Sequence, residues 1–314
     1  MDDNQLLNQN LIKEFLNYLK IKGKSDCTLS SYSYALKLFN KWIGNISIEQ
    51  ITRAKLTEYQ VYLGELKPKN KINLSLNSQS HYLIVLRSFL KYLQQQDHEI
   101  NIRSEMIELP KINDREITFL DKSELKRLLK SPFKHKTKLI IKLRNKAILE
   151  LLFSTGLRLR ELTSLNKEQI NFEQREITVK GKGGKIRLVF LSENAIDSLK
   201  NYLEAREDDH HALFVCHNKN IIARLSPRAV QLLVEKCAKL AKITKQVTPH
   251  TLRRSFAVDL LNNGCNIYFV QKLLGHSSIS TTERYLTVSN NFLKENYNKF
   301  HNKKLTQKCK KDIL

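Results

Sequence analysis

Residues 177–191 read ITVKGKGGKIRLVFL and carry the clearest β-hairpin pattern in this 314-residue chain. Two runs with alternating apolar residues flank the triplet KGG, whose glycines suit a tight turn. The alternating apolar positions are Ile177, Val179, Ile186, Leu188 and Phe190. Because the periodic segments on both sides have helical spacing, the sequence predicts a mainly α protein that contains a small antiparallel β-sheet.

The first 100 residues predict a bundle of four helices. In each segment the apolar residues recur at intervals of three and four, as on the buried face of an amphipathic helix, and Thr28 is expected to open the second helix. The segments are LIKEFLNYLK, LSSYSYALKLFNKWI, ITRAKLTEYQVYLGEL and SQSHYLIVLRSFLKYLQQQ. The weakly periodic stretch 101–117, which contains Pro110, is expected to be a linker.

From residue 118 onward the helices carry recognisable end signals. A capping box, Ser-Pro and Thr-Pro pairs at helix starts, and a glycine after a long apolar run all mark boundaries. These signals are Asp121 with Glu124, Gly156, Ser226-Pro227 and Thr248-Pro249. We therefore expect a second, mostly helical domain over residues 118–300, followed by a basic tail over 301–314.

The charge of the chain is strongly positive and unevenly distributed. The formal net charge is +23, and residues 111–314 hold 40 Lys and Arg against 20 Asp and Glu, whereas residues 1–110 hold 14 against 11. An AT-rich genome inflates lysine, but this bias alone would not load one part of the chain so heavily. The sequence therefore predicts a polyanionic partner, DNA or RNA, gripped mainly by the second domain.

Cysteine usage and hydropathy exclude several other classes of protein. Five scattered cysteines without a CxxC pair indicate reduced thiols in the cytosol and argue against a zinc site. No apolar run approaches the ~20 residues that a membrane span needs, and the polar, acidic start MDDNQLLNQN is unlike a secretory signal. We therefore expect a cytoplasmic, nucleoid-associated protein without a membrane partner.

Several basic residues occur where helices begin or a hairpin turns. His250 and Arg253 lie in the first turn of a helix, whose free N–H groups favour an anion. Arg158 follows the break at Gly156, and Lys182 lies among the glycines of the hairpin turn. Each of these residues, taken alone, also fits an exposed side chain on a basic protein.

The segment LLGHSSISTTERYLTV, residues 273–288, adds a histidine and a tyrosine. Gly275 ends a short helix immediately before His276, and Ser280 with Glu283 predicts a capping box that places Tyr285 in the early turns of the next helix. The chain reverses between His276 and Tyr285, so both side chains can reach one cleft. Clustered cations there would favour the charged form of a phenol and the approach of a phosphodiester. The alternative is a core tyrosine.

In this order and context, the motifs TGLRLREL, VKGKGGKIR, PHTLRRSFA and LLGHSSISTTERY resemble those of the tyrosine recombinase (phage integrase) family, most closely its Xer-like branch. The resemblance covers nearly the whole chain and is weakest in the helical N-terminal part. It implies a SAM-like core-binding domain over residues 1–100 and a catalytic domain over 118–300. One departure is Arg254, which stands where many relatives have histidine.

The resemblance also implies a role for each conspicuous residue. Arg158 and Arg253 would clamp the scissile phosphate, which His250 and His276 would hydrogen-bond. Tyr285 would attack phosphorus to give a 3′-phosphotyrosine. Lys182 would protonate the leaving 5′-oxygen, and Glu161 would support Arg158 from behind. Neither a metal nor another cofactor is expected, and the chain has no P-loop motif for ATP.

By the same resemblance, the substrate would be double-stranded DNA with an inverted-repeat site, bound by a homo- or hetero-tetramer in which a paralogous recombinase can take part. The amphipathic segment NNFLKENYNKF, residues 290–300, would pass to a neighbouring subunit. Chromosome dimer resolution, linked to cell division and chromosome partition, is the expected role. A mobile-element integrase, a type IB topoisomerase and a DNA-binding regulator without catalysis are the alternatives.

Overall fold

The computed structural model describes residues 3–67, 73–112, 117–181, 184, 186–218, 221–286 and 297. The chain divides into two compact units, Met1–Asp114 and Arg115–Leu314. Both units are built mainly from helices, and the strands in the described part of the chain are short and antiparallel. The predicted fold class, mainly α with a small antiparallel sheet, is confirmed.

The first unit contains the four predicted helices. They are α1 (Asp3–Ile21), α2 (Asp26–Ile43), α3 (Arg53–Glu65) and α4 (Leu76–Gln95). Their apolar faces enclose a core in which Phe15, Phe39 and Phe89 are each at most 1% exposed. The predicted start of α2 at Thr28 is wrong, because the helix begins at Asp26. The Oγ of Ser25, the residue before it, accepts a hydrogen bond from the Thr28 amide and so caps the helix.

The second unit alternates helices with two small sheets. Its helices are α5 (Lys122–Lys130), α6 (Leu139–Thr155), α7 (Leu159–Ser164), α8 (Glu193–Glu204), α9 (Pro227–Leu240), α10 (Pro249–Asn262), α11 (Ile267–Leu274) and α12 (Ser280–Glu283). Its strands are β1 (Ile170–Asn171), β2 (Glu176–Lys180), β3 (Ile186–Phe190), β4 (Val215–Asn218) and β5 (Ile221–Arg224). Strands β1, β2 and β3 form one antiparallel sheet in that order, and β4 pairs with β5.

The predicted hairpin is present as β2 and β3, but β3 faces the other way from its apolar pattern. Ile177 and Val179 of β2 are buried, and they pair with Val189 and Arg187 of β3. Successive side chains of a strand point to opposite faces, so Val189 and Arg187 both face inward. The apolar residues between them lie outside: Ile186, Leu188 and Phe190 are 72%, 48% and 57% exposed. An inward ion pair of Arg187, described below, accounts for this orientation.

Helix α6 is the central element of the second unit. Side chains on all its sides are buried, and it packs against α5, α8 and α10. The helix ends where predicted, at Gly156, whose φ of +60° is the left-handed conformation that glycine adopts readily. The predicted caps are confirmed for α5, α9 and α10, whose first turns are closed by Asp121, Ser226 and Thr248 respectively.

Several predicted features fall outside the described residues. They are Lys182, the segment 290–300 except for Tyr297, and the tail 301–314. Within the described ranges, no helix combines the length and the apolar character that crossing a membrane requires.

Candidate active site

The first candidate side chain, Arg158, lies between α6 and α7. Gly156 ends α6, and Arg158 immediately precedes α7, so its guanidinium projects from a break between two helices. The Arg158 amide donates to Oε2 of Glu161 at 2.8 Å, and its Nη1 donates to Oε1 of the same carboxylate at 3.0 Å. Glu161 is only 6% exposed, so it holds Arg158 from inside the domain.

A second arginine, Arg187 of β3, binds the same carboxylate. Its Nη1 and Nη2 donate to Oε1 and Oε2 of Glu161, each at 2.9 Å, in the bidentate geometry that guanidinium favours. Burial works to raise the pKa of Glu161, but the hydrogen bonds from Arg187 and Arg158 outweigh it and lower that pKa to about 2. The carboxylate is therefore ionised at neutral pH. Glu161 was predicted from the sequence, whereas Arg187 was not.

Arg253 of α10 joins two helix ends. It is 3% exposed, and its Nη1 donates to the Gly156 carbonyl at the end of α6. Its Nη2 donates to the Leu274 carbonyl at 2.6 Å. Burial, followed by the charge of Arg158, lowers the pKa of Arg253 to about 10, which leaves the guanidinium charged at neutral pH.

Three arginines thus meet at the carboxyl end of α11. The carbonyls of three consecutive residues accept N–H groups: Leu273 from Arg187 at 3.3 Å, Leu274 from Arg253 at 2.6 Å, and Gly275 from Arg158 at 3.0 Å. The last carbonyls of a helix have no partner within the helix and carry the negative end of its dipole. The end of α11 therefore fixes three positive groups in place directly before His276.

His276 is held between the arginines and the tyrosine. Its Nδ1 lies 2.9 Å from Oγ1 of Thr282, a fully buried residue of α12. Burial and then the charges of Arg253, Arg158 and Arg187 lower the pKa of His276 to about 4, so the ring is neutral at pH 7. Thr282 was also missed by the sequence analysis, since a buried threonine has no distinctive pattern.

Tyr285 lies next to His276, with 6.3 Å between the ring centroids. It is 8% exposed, and its amide donates to the Thr282 carbonyl at 2.9 Å. The predicted capping box is wrong: the N-cap of α12 is Ile279, without a side-chain hydrogen bond, and the Oγ of Ser280 bonds Ser278 instead. Helix α12 ends at Glu283, so Tyr285 follows this helix and does not lie in its early turns.

His250 stands at the start of α10, one turn before Arg253. The residue is exposed, but partial desolvation of the ring and the charges of Arg253, Arg254 and Arg158 lower its pKa. His250 is therefore close enough to Arg253 and Arg158 to be affected by their charges. Lys182 lies outside the described residues; in the sequence it falls between β2 and β3.

Chemically, the site offers fixed positive charge, neutral imidazoles and a phenol. Arg158, Arg187 and Arg253 together outweigh Glu161, so the cluster retains positive charge for an anion. Guanidinium groups held in place can stabilise charge that develops on a phosphate without reorganising, and neutral imidazoles can accept or relay protons. In the part of the chain that the structure describes, no three His, Cys, Asp or Glu side chains are grouped to hold a metal ion.

Two family models match the chain and together cover most of it. The model described as the Phage integrase family matches residues 118–291, and the model described as the Phage integrase N-terminal SAM-like domain matches residues 12–97. The first match contains the whole site described above.

Curated relatives and solved structures agree with these matches. Tyrosine recombinase XerA of Pyrococcus horikoshii is 33% identical over 93% of both chains, and tyrosine recombinase XerD of Staphylococcus saprophyticus is 33% identical over 93% of this chain and 98% of its own. The crystal structure of the XerH site-specific recombinase bound to a palindromic difH substrate has a TM-score of 0.70 and 26% identity, covering 86% of this chain and 79% of its own.

Proposed function

Because the chain belongs to the phage integrase family of tyrosine recombinases, we propose that Tyr285 is its nucleophile and that the side chains around Tyr285 are its active site. The protein is a site-specific DNA strand transferase, which cuts and rejoins duplex DNA through a phosphotyrosine linkage. DNA is accordingly its partner, in agreement with the strong positive charge.

The observation that carries the residue assignment is that Tyr285 lies beside His276, whose ring is close to the charges of Arg158 and Arg253. The same two arginines also act on His250. Arg158 and Arg253 bind the non-bridging oxygens of the scissile phosphate, and His250 and His276 hydrogen-bond it. A bond forms from the Tyr285 oxygen to phosphorus while the bond from phosphorus to the 5′-oxygen breaks. The phenol proton leaves to a neighbouring base.

Lys182 gives the proton that the departing 5′-oxygen needs. In the sequence it is flanked by Gly181, Gly183 and Gly184, a composition that suits a side chain which enters the site when DNA is bound. Because the phosphotyrosine retains the energy of the broken phosphodiester, a second 5′-hydroxyl can attack it and rejoin the strands without ATP. Residues 1–100 act as the core-binding domain and residues 118–300 as the catalytic domain.

The biological role that we assign is Xer-like, namely resolution of chromosome dimers at an inverted-repeat site. The support is that relatives from distant organisms, each matching over nine-tenths of this chain, carry Xer names. A tetramer on two DNA sites, with or without a paralogous recombinase, is the assembly that exchanges strands between duplexes.

A selection followed by a joining assay tests this function. The Tyr285→Phe chain selects its preferred duplex from a randomised pool, and the wild-type chain then receives two copies of that duplex, without ATP or divalent ions. We expect exchanged products. Relaxation of a supercoiled plasmid without strand exchange would favour a type IB topoisomerase. Absence of any covalent intermediate would refute the assignment of Tyr285 as the nucleophile.

Assembly is tested by a chain that ends at Ser289. This truncation removes the amphipathic segment 290–300 together with the basic tail 301–314, and we expect binding to single sites to persist while paired-site complexes and recombination are lost. Normal pairing of two sites by the truncated chain, seen as an unchanged gel-shift ladder, would contradict this part of the proposal.

A further inference from the structure

Arg187 is a charged residue at an inward-facing position of a strand whose apolar neighbours point outward. Its side chain is 14% exposed, whereas Ile186 and Leu188 on either side are 72% and 48% exposed. Burying a guanidinium while exposing two aliphatic side chains costs free energy on both counts. The orientation therefore requires a specific partner on the inner side of the sheet.

Arg187 has such partners in three separate elements. Its two Nη atoms bind both oxygens of Glu161 in α7, and its Nε donates to the Leu273 carbonyl in α11. Its stem also packs on Gly275, where an added Cβ would lie 3.2 Å from the Arg187 Cδ. One side chain thus connects the sheet, the start of α7 and the turn that leads into His276.

We propose that Arg187 is a positioning residue for DNA cleavage, which orients Arg158 through Glu161 and fixes the end of α11 before His276. This inference rests on the proposed function of the site. Three of the five N–H donors of Arg187 are already engaged within the protein, by Glu161 and by the Leu273 carbonyl. The role that we assign to Arg187 is to act on the phosphate through Arg158.

The physical reason is that Glu161 and the phosphate compete for the guanidinium of Arg158. Glu161 is buried, and a buried carboxylate that loses one of its two cations is left poorly compensated. It would then draw the Arg158 guanidinium more strongly toward itself and away from a phosphate in the cleft. With Arg187 present, both carboxylate oxygens are satisfied, and Arg158 keeps one Nη directed at the Gly275 carbonyl at the edge of the site.

A positioning role differs from a purely structural one in its dependence on phosphate charge. The experiment uses full-length protein and two forms of the selected duplex, one with an ordinary scissile phosphodiester and one with a methylphosphonate, in which a methyl group replaces a charged oxygen. Displacement of the Arg158 guanidinium slows cleavage less when the phosphate group carries no charge. A variant that is only less well folded loses the same factor on both substrates.

The variants are Arg187→Lys and Arg187→Ala, with Arg158→Ala as the reference for a defective clamp. Lysine keeps the charge but cannot form the bidentate pair, so it separates geometry from net charge if the alanine variant folds poorly. The matched control is Arg175→Lys, since Arg175 lies next to the same sheet and its side chain forms an exposed ion pair with Glu193.

We expect Arg187→Ala to form the covalent adduct about 30-fold more slowly on the phosphodiester but only about threefold more slowly on the methylphosphonate, within the range that misplacement of a reacting group produces. Arg187→Lys keeps a cation beside Glu161 but loses the bidentate geometry, so we expect a smaller loss that still falls mainly on the phosphodiester. Arg158→Ala should change the ratio of the two rates in the same direction, and Arg175→Lys should leave it unchanged. If the Arg187 variants lose the same factor in rate on both substrates while Arg158→Ala changes the ratio of the two rates, the inference about Arg187 is overturned and the proposed function stands. Failure of the wild-type chain to form any adduct would overturn the proposed function and this inference together.

Discussion

The imidazole of His276 is anchored by Thr282, with 2.9 Å between Nδ1 and Oγ1. The same threonine accepts the amide of Tyr285 through its backbone carbonyl. One buried residue therefore fixes both the histidine and the tyrosine of the site, and it leaves the Nε2 of His276 as the ring nitrogen available to a substrate.

Replacing the hydroxyl of Thr282 should impair cleavage without unfolding the domain. Thr282→Val preserves the shape of the side chain but removes the hydrogen bond to His276, so the ring is free to rotate. We expect adduct formation to slow by about 10- to 100-fold, as when other groups that orient a functional histidine are removed. Thr282→Ser, which keeps the hydroxyl, should form the adduct at a rate much closer to that of the wild-type chain.

Thr281→Val is the matched control, because Thr281 is the exposed neighbour of Thr282 on the same short helix. Rates are measured with a nicked suicide duplex, and circular dichroism checks folding. If Thr282→Val cleaves as fast as Thr281→Val, the hydrogen bond to His276 has no part in the reaction.

The depressed pKa of His276 predicts how stability depends on pH. An unfolded histidine takes up a proton below about pH 6.5, whereas His276 in the folded protein does so only near pH 4. Between these values the unfolded state holds more protons, so the stabilising contribution is complete above pH 6.5 and is lost as the pH falls toward 4.

Denaturant unfolding of the DNA-free protein at pH 7 and pH 4 measures this contribution. The free energy of unfolding should fall less in His276→Asn than in the wild-type chain, by about 2 kcal/mol. Titration of Glu161 changes the stability at lower pH, between the ordinary pKa of a glutamate and about 2, so it affects this comparison little. Identical pH slopes for the two proteins would show that His276 is not held neutral by its surroundings.

Gly156 should tolerate no side chain. Its φ is +60°, and an added Cβ would lie 2.5 Å from Cδ1 of Phe256, so Gly156→Ala combines backbone strain with a clash. We expect a loss of about 3 kcal/mol in the free energy of unfolding. Gly264 separates the two causes, since it has a φ of +85° but open space around its Cα, and Gly264→Ala should cost only about 1 kcal/mol. Equal costs at the two sites would contradict the packing of α6 against α10.

Lys182 should act as the acid for the leaving group. Lys182→Ala is expected to slow cleavage of an ordinary phosphodiester by about 100-fold or more. A duplex with sulfur at the bridging 5′ position should largely restore the rate, because a thiolate leaves without a proton. Equal slowing on both substrates would indicate that Lys182 contacts the phosphate and is not the acid.

Local signals explain why much of the fold was predictable. Helix caps at Asp121, Ser226 and Thr248, and the glycine stop at Gly156, depend on neighbouring residues, so the sequence reveals them directly. The pairing of β4 with β5 was not predicted, and the alternating apolar residues that identified β3 do not lie on its buried face. An ion pair formed with Glu161, 26 residues away, decided that face.

Residues of the candidate site that belong to distinctive motifs could be predicted from the sequence. Residues whose role depends on contacts with distant parts of the chain could not. Resemblance pointed to six candidate reacting residues and to Glu161, because their side-chain types and order are distinctive. Arg187 and Thr282 were missed, since their partners are a distant carboxylate, a helix-end carbonyl and a ring nitrogen. Arg253 illustrates the same point, because the Gly156 carbonyl that it binds is 97 residues away and leaves no trace in the sequence.

The identity of the nucleophile is tested most directly by Tyr285→Phe. Phenylalanine retains the ring that packs beside His276 and removes only the hydroxyl, so folding and binding to the selected duplex should be nearly normal. A nicked suicide duplex, run on a denaturing gel, should yield a covalent protein–DNA adduct with the wild-type chain and none with Tyr285→Phe. An adduct that persists in the variant would contradict the account and place the nucleophile at another tyrosine.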